Sequence, residues 1–171
     1  MRAYDRNAAV NYARKWALSR NSVYKDYEKY GGNCTNFISQ CLVAGGILFD
    51  HQGQDLTEQW YWYSDGYRTP SFTSATSLKR YLLKNNHQTL KTKGVYAIQT
   101  TYANLTLGDI VFKSVNGKVT HSMIVTGIVR DYDGNVVDYL ICQHSYDLKD
   151  YPLSQKEGEM SYIKILGCYD S

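Results

Sequence analysis

The chain has 171 residues, of which 43% are hydrophobic and 20% charged, with a formal net charge of +3. That length and balance exclude a disordered chain and suit one domain, residues 1–171, with a core of its own. The charge is mild and no run of Lys or Arg occurs, which argues against nucleic acid as a partner, and no apolar run is long enough to span a membrane. Tyrosine is the outlier at 17 residues; its flat apolar face and polar edge suit sugar- and peptide-binding grooves as well as ordinary core and rim packing. The four cysteines, at 34, 41, 142 and 168, match no zinc-ligand spacing, so no metal or other cofactor is expected. Cys34 and Cys41 lie too far apart on one helix to bridge, whereas Cys142 and Cys168 are read as buried thiols, with a disulfide left open.

In chain order, Asn7 to Arg20 reads as a helix with Ala9, Tyr12, Ala13, Trp16 and Ala17 on its apolar stripe and Asp5 as its cap. Met1 leads almost directly into it, and no signal peptide begins the sequence. The expected setting is therefore a domain of a longer or processed chain, with a cytoplasmic protein as the alternative. A tyrosine-rich stretch, with Tyr24, Tyr27 and Tyr30, delivers the chain to Gly31-Gly32-Asn33-Cys34-Thr35-Asn36-Phe37-Ile38-Ser39-Gln40-Cys41-Leu42. Small or apolar residues recur there at 34, 37, 38, 41 and 42, the stripe of a buried helix face, and Gly45-Gly46 closes it. Asn33 is the expected N-cap, and it is also a candidate for the oxyanion hole or the groove beside Cys34. Cys34 then sits in the first turn, where the helix dipole favours thiolate and backbone amides can hold an oxyanion. The alternative is a small, inert core residue.

Residues 47–73 lose periodicity and read as a long insertion over the site, carrying the cluster Gln59-Trp60-Tyr61-Trp62-Tyr63. Trp60 and Trp62 are either a wall of a groove or core. Ser74 to Asn86 is the third helix. From residue 94 the signal turns to strands: Val95–Gln99, Gly108–Phe112, a tight turn at Asn116-Gly117, His121–Arg130, a turn at 133–135, Val136–His144 and Ser161–Leu166. Helices first and an antiparallel sheet second is an α+β arrangement. His121 stands at the entry to a strand, a rigid place from which an imidazole can take a thiol proton and later protonate a leaving amine.

The Cys34 stretch, with its trailing Gly-Gly, resembles the signature of the bacterial putative amidase domain family, which is related to the papain-like NlpC and CHAP cell-wall hydrolases; Asn33 stands where that family usually has Asp. The resemblance runs from Tyr4-Asp5-Arg6 to about Leu153. It implies a papain-like α+β fold and a cysteine amidase or peptidase acting on the peptide part of bacterial peptidoglycan. It pairs Cys34 as nucleophile with His121 as base, in the order Gly108-Asp109 strand, then histidine strand. It also suggests His144, at the end of the next strand, as the residue that orients His121, with Asp147 as the rival. Tyr24 is the counterpart of a tyrosine that lines the site in NlpC-like relatives, the alternative being a packing residue. A secreted or wall-associated location follows from the same resemblance. The rival readings are a wall-binding module without turnover and a hydrolase acting on another peptide or protein amide. Asn36 and Gln40 read as structural, and His51 and His87 receive no role.

Overall fold

The computed structural model describes residues 1–84 and 92–170, Asp170 by its backbone alone. The fold is α+β. Helix α1 (Arg6–Trp16) begins where the Asp5 side chain accepts a hydrogen bond from the Ala8 amide at 2.9 Å, and it buries Ala9, Val10 and Ala13. Helix α2 (Cys34–Ala44) is buried from Thr35 to Leu42, so it runs through the middle of the molecule rather than over its surface. Helix α3 (Pro70–Thr73) is one turn and α4 (Ala75–Lys84) turns Leu78, Tyr81 and Leu82 inward. The expected end of that helix at Asn85-Asn86, and His87, lie outside the described residues.

Segment 47–73 is ordered by its own aromatics. It contains a short turn at Leu56–Glu58 and a hairpin of β1 (Trp62–Ser64) with β2 (Tyr67–Arg68). Trp60 and Trp62 are core, not groove. Trp60 is buried against Phe72 and donates its indole N–H to Ser39 Oγ at 3.2 Å; Trp62 donates to Tyr27 Oη at 3.0 Å. Each indole thus buries its large apolar area while its one polar atom stays satisfied. Tyr24 stacks on the same cluster, with its ring 5.1 Å from Trp62 and 6.2 Å from Phe72.

Six antiparallel strands form the main sheet: β3 (Lys93–Thr100), β4 (Ile110–Val115), β5 (Lys118–Arg130), β6 (Val136–Gln143), β7 (Leu148–Pro152) and β8 (Glu159–Asp170), in the spatial order β3-β8-β4-β5-β6-β7. Strand β7, for which the sequence analysis names no element, pairs along the outer edge of β6. The β4–β5 turn places Asn116 and Gly117 both at positive φ, 51° and 77°, the conformation an Asn-Gly hairpin supplies at least strain. Alternation gives the sheet two faces. Phe112, Ile124, Cys142 and Ile163 pack with Phe37, Ile38, Cys41 and Leu42 of α2 in the larger core. Val111, Met123, Val125, Tyr139 and Ile141 face the other way, under Leu105 and Leu153.

The N-terminus is locked to the sheet by Asp109. Its buried carboxylate accepts from Arg6 at 2.8 Å, Lys164 at 3.2 Å and the Ile165 and Thr106 amides at 3.1 and 2.9 Å. Arg6 continues to the Ile165 and Leu107 carbonyls. A carboxylate without water is tolerable only when its lone pairs are filled, and here all the partners are fixed. Asp109 is therefore a structural anchor beneath the β4–β5 hairpin that carries His121.

Candidate active site

Cys34 is the first residue of α2 and remains partly exposed, while Cys41, Cys142 and Cys168 are buried; all four are free thiols. The open choice for Cys142 and Cys168 is thereby settled as two thiols. Burial pushes the Cys34 thiol up, but a hydrogen bond and the charge of His121, with hydrogen bonds from Thr35 and Ser122, outweigh it and lower its pKa from 9.0 to about 7. Burial leaves Cys41 and Cys142 raised. The Thr35 hydroxyl lies 3.7 Å from Cys34 Sγ and 3.1 Å from Ser122 Oγ, so a polar pair rather than hydrocarbon backs the sulfur.

His121 lies inside β5, three residues after its start, rather than at a strand entry. Its Nε2 sits 2.8 Å from Gln143 Oε1. An amide oxygen only accepts, so Nε2 carries the proton and Nδ1 is left for the sulfur. Gln143 Nε2 in turn donates to the Ser145 and Tyr146 carbonyls at 3.0 and 2.8 Å, which fixes which way the amide points. Ser145 and Tyr146 both take positive φ, 64° and 61°, and that sharp turn at the end of β6 aims their carbonyls back at Gln143.

Gln143, then, holds the position expected of His144. Strand alternation explains the exchange. Val125 pairs with Ile141 and Ile124 with Cys142, so His121, Ile141 and Gln143 share one face, and Cys142 and His144 share the other. His144 stacks on Phe37 of α2 at 4.0 Å and is buried. Its Nε2 is 2.7 Å from the Trp16 carbonyl and its Nδ1 2.8 Å from Asn33 Nδ2. The carbonyl can only accept, so Nε2 bears the hydrogen and Nδ1 accepts from Asn33. Burial lowers its pKa and keeps the ring neutral. Asp147 does not reach His121 either: it pairs with Arg20 at 2.8 and 3.2 Å, and Arg20 also meets Asp26 at 3.3 Å and Glu28 at 3.6 Å.

Asn33 is buried and does not cap α2 with its side chain. Its Oδ1 accepts from the Tyr27 amide at 2.9 Å and from Asn36 Nδ2 at 3.0 Å, while Nδ2 donates to His144. Asn36 braces the same loop through the Lys25 carbonyl at 2.9 Å, and Gln40 meets Tyr12 Oη at 2.5 Å, far from the thiol. No side chain occupies the helix N-terminus, so the first-turn amides of Cys34 and Thr35 have no protein acceptor among the described residues. Gly32 keeps the approach open: its φ is +110°, and a Cβ there would stand 2.9 Å from Ser145 Oγ.

Two clefts flank the sulfur and the imidazole. The first, about 490 Å³, is lined by Cys34, Thr35, Gly32, Tyr27, Arg68 and Thr120 among others. The second, about 280 Å³, is lined by His121, Gln143, Tyr146, Lys113, Lys156 and again Thr120. Tyr24, Trp60 and Trp62, expected as possible groove residues, line neither; Tyr27 and Tyr30 line the first and Tyr146 the second. His51 stacks on Tyr61 and bonds Tyr63 within the insertion. Among the described residues no cluster of three or more His, Cys, Asp and Glu is placed to hold a metal ion, and no helix is long and apolar enough to cross a membrane.

These features define an α+β protein that sets a low-pKa thiol at a helix N-terminus against an amide-held imidazole, with a cleft on each side. The chain belongs to the family described as "Putative amidase domain", whose sequence profile matches residues 3–165. Among curated proteins it is 28% identical over 178 residues to the uncharacterized protein YjcM of Bacillus subtilis (strain 168), covering 97% of this chain and 37% of that one. It is 35% identical over 147 residues to the uncharacterized protein YhbB of the same organism, covering 84% of this chain and 42% of that one. The chain thus spans less than half the length of these relatives. No solved structure matches it significantly.

Proposed function

We propose that the protein is a cysteine amidase or peptidase in which Cys34 is the nucleophile, His121 the general base and then acid, and Gln143 the residue that positions His121. The observation that carries this reading is the juxtaposition of a thiol with a pKa of about 7 and an imidazole whose other nitrogen is held by Gln143. At neutral pH much of the thiol is already thiolate, with the proton on His121 Nδ1. The sulfur attacks the amide carbon, and the carbonyl oxygen takes the negative charge beside the Cys34 and Thr35 amides, where the helix dipole adds its field. His121 gives its Nδ1 proton to the leaving nitrogen, the C–N bond breaks and a thioester remains. Water, deprotonated by the same nitrogen, then releases the acid and restores the thiol.

The substrate class in this reading is the peptide part of bacterial peptidoglycan. Its support is the family membership, the low-pKa thiol and an open groove large enough for an extended peptide. An enzyme on that polymer works outside the membrane, so a secreted or wall-associated location is part of the proposal. The test is a digest of purified Gram-positive peptidoglycan by wild type and Cys34→Ala, with soluble products read by mass spectrometry. New fragments from wild type alone support the reading, and their masses name the bond. Fragments from both proteins, or none with an unreactive Cys34, overturn it and favour a module that binds wall without cutting it.

A further inference from the structure

The second cleft carries a charge pattern that the reaction itself does not use. Lys113 is the cross-strand partner of His121 in the β4–β5 ladder, so its side chain rises beside the imidazole. Its stem lies over Gly158, where a Cβ would meet Lys113 Cε at 2.7 Å. Lys156 enters the same cleft from the turn before β8. Both are partly buried, and neither forms an ion pair among the described residues. Burial and the nearby Lys113 charge together lower the Lys156 pKa. Among the described residues no acidic side chain lines the cleft; its other walls are Val115, Thr120, His121, Gln143, Ser145 and Tyr146.

Two ammonium groups brought together without a counter-charge cost stability, because each raises the work of charging the other. A ligand carboxylate placed between them reverses that sign and gains two charge-assisted hydrogen bonds. Position says which part of the substrate it belongs to. His121 delivers its proton to the leaving nitrogen, so the leaving half of the peptide lies on the imidazole side, over this cleft. We infer that Lys113 and Lys156 form a carboxylate subsite for the leaving group, so that the enzyme prefers an acidic residue or a free C-terminus immediately after the cut amide. This rests on the hydrolase reading above and adds a substrate preference to it.

The test uses matched peptides with one acyl half and four leaving groups: glycine, glycinamide, glutamic acid amide and glutamine amide. Wild type should cut the glycine or the glutamic acid member about tenfold better than its neutral partner, mainly through KM, as expected for one charged contact. A preference for glycine alone names the α-carboxylate; a preference for glutamic acid amide alone names the side chain. The Lys113→Gln/Lys156→Gln variant should lose the preference, Lys113→Arg/Lys156→Arg should keep it, and both should retain a fast-labelling Cys34. Cleavage without any acid preference, or a preference that survives the double Gln change, overturns the subsite while leaving the hydrolase intact. If no peptide is cut, the hydrolase reading suffers, and the subsite is decided by NMR of lysine-labelled protein. Resonances of Lys113 and Lys156 that move with glycyl-glutamate but not with glycyl-glutaminamide, which carries no carboxylate, uphold it, and resonances that stay still overturn it.

Discussion

Two histidines stand on either side of the N-terminus of α2, and they differ in what their ring nitrogens are free to do. His121 is partly exposed, has one nitrogen on Gln143 and the other toward Cys34, and opens onto a cleft. His144 is buried, with both nitrogens committed to Trp16 and Asn33 and its face on Phe37. The first can move a proton; the second can only hold its neighbours in place. The residue type is the same, and the strand face decides the role. The Asn33–His144 pair forms a floor, and Cys34, His121 and Gln143 form the corner above it that the proposal makes reactive.

The sharpest way to break the comparison is to remove one member of each pair and read activity and stability separately. Cys34→Ala should lower turnover by about 10⁶-fold, the order seen when a nucleophile of this kind is removed, while unfolding at the wild-type denaturant midpoint. His121→Ala should cost about 10²- to 10⁴-fold in turnover, also at unchanged stability. In native protein, iodoacetamide should label Cys34 with an inflection near pH 7 and leave the three buried thiols untouched. Equal labelling of all four cysteines would remove the nucleophile assignment.

His144→Ala should do the reverse. It strands the Asn33 amide and the Trp16 carbonyl in the interior and opens a void against Phe37, which together cost about 2–4 kcal/mol of folding stability. Turnover per folded molecule should fall far less than in His121→Ala. A His144→Ala protein that folds as well as wild type yet is inactive would return the catalytic role to His144.

How much of this was legible beforehand follows from the same contrast. Local signals were sufficient for the elements that make their own case: Asp5 as a cap, the buried stripe of α2, and Asn-Gly as a hairpin turn. Cys34 and His121 are singled out as candidates by residue type, spacing and resemblance. Gln143 was missed because histidine is the more familiar partner for a histidine, and because alternation along β6 puts residue 143, not 144, on the face of His121 only once the pairing of Ile124 with Cys142 fixes the register. Trp60 and Trp62 could not be resolved between groove and core, because an indole serves either, and only the partners Ser39 and Tyr27, distant in sequence, decide it. Asn33 failed as a side-chain cap for a similar reason: its amide is taken by the Tyr27 loop and His144, contacts that no local pattern announces.

Gln143→Ala tests the upper half of the comparison with a smaller effect. Without its acceptor the imidazole can turn, and a misplacement of about 1 Å costs on the order of 10²-fold. The loss should fall on kcat with KM little changed. The Cys34 labelling inflection should rise from about 7, because an imidazolium that is no longer held beside the sulfur stabilises the thiolate less. Gln143→Glu, which keeps an acceptor, should recover part of the rate. A variant with lower stability but the wild-type inflection would reduce Gln143 to a structural residue.

The smallest effect belongs to the floor and is read from stability against pH. In the unfolded chain a histidine takes up its proton near pH 6.5. In the folded protein burial holds His144 neutral to lower pH, because a proton on Nδ1 would meet the Asn33 amide hydrogens instead of accepting from them. Between those two values the unfolded chain binds more protons than the folded one, so the His144 contribution is complete above about pH 6.5 and is lost as pH falls below it. The slope is at most about 1.4 kcal/mol per pH unit for one group. His144→Gln keeps a donor for Trp16 and an acceptor for Asn33 but has nothing to titrate. Urea titrations from pH 8 to pH 5 should therefore show a steeper loss of stability in wild type than in His144→Gln. Parallel curves would mean that His144 carries its proton as readily folded as unfolded, and the floor would then have to tolerate a charge that its two hydrogen bonds leave no room for.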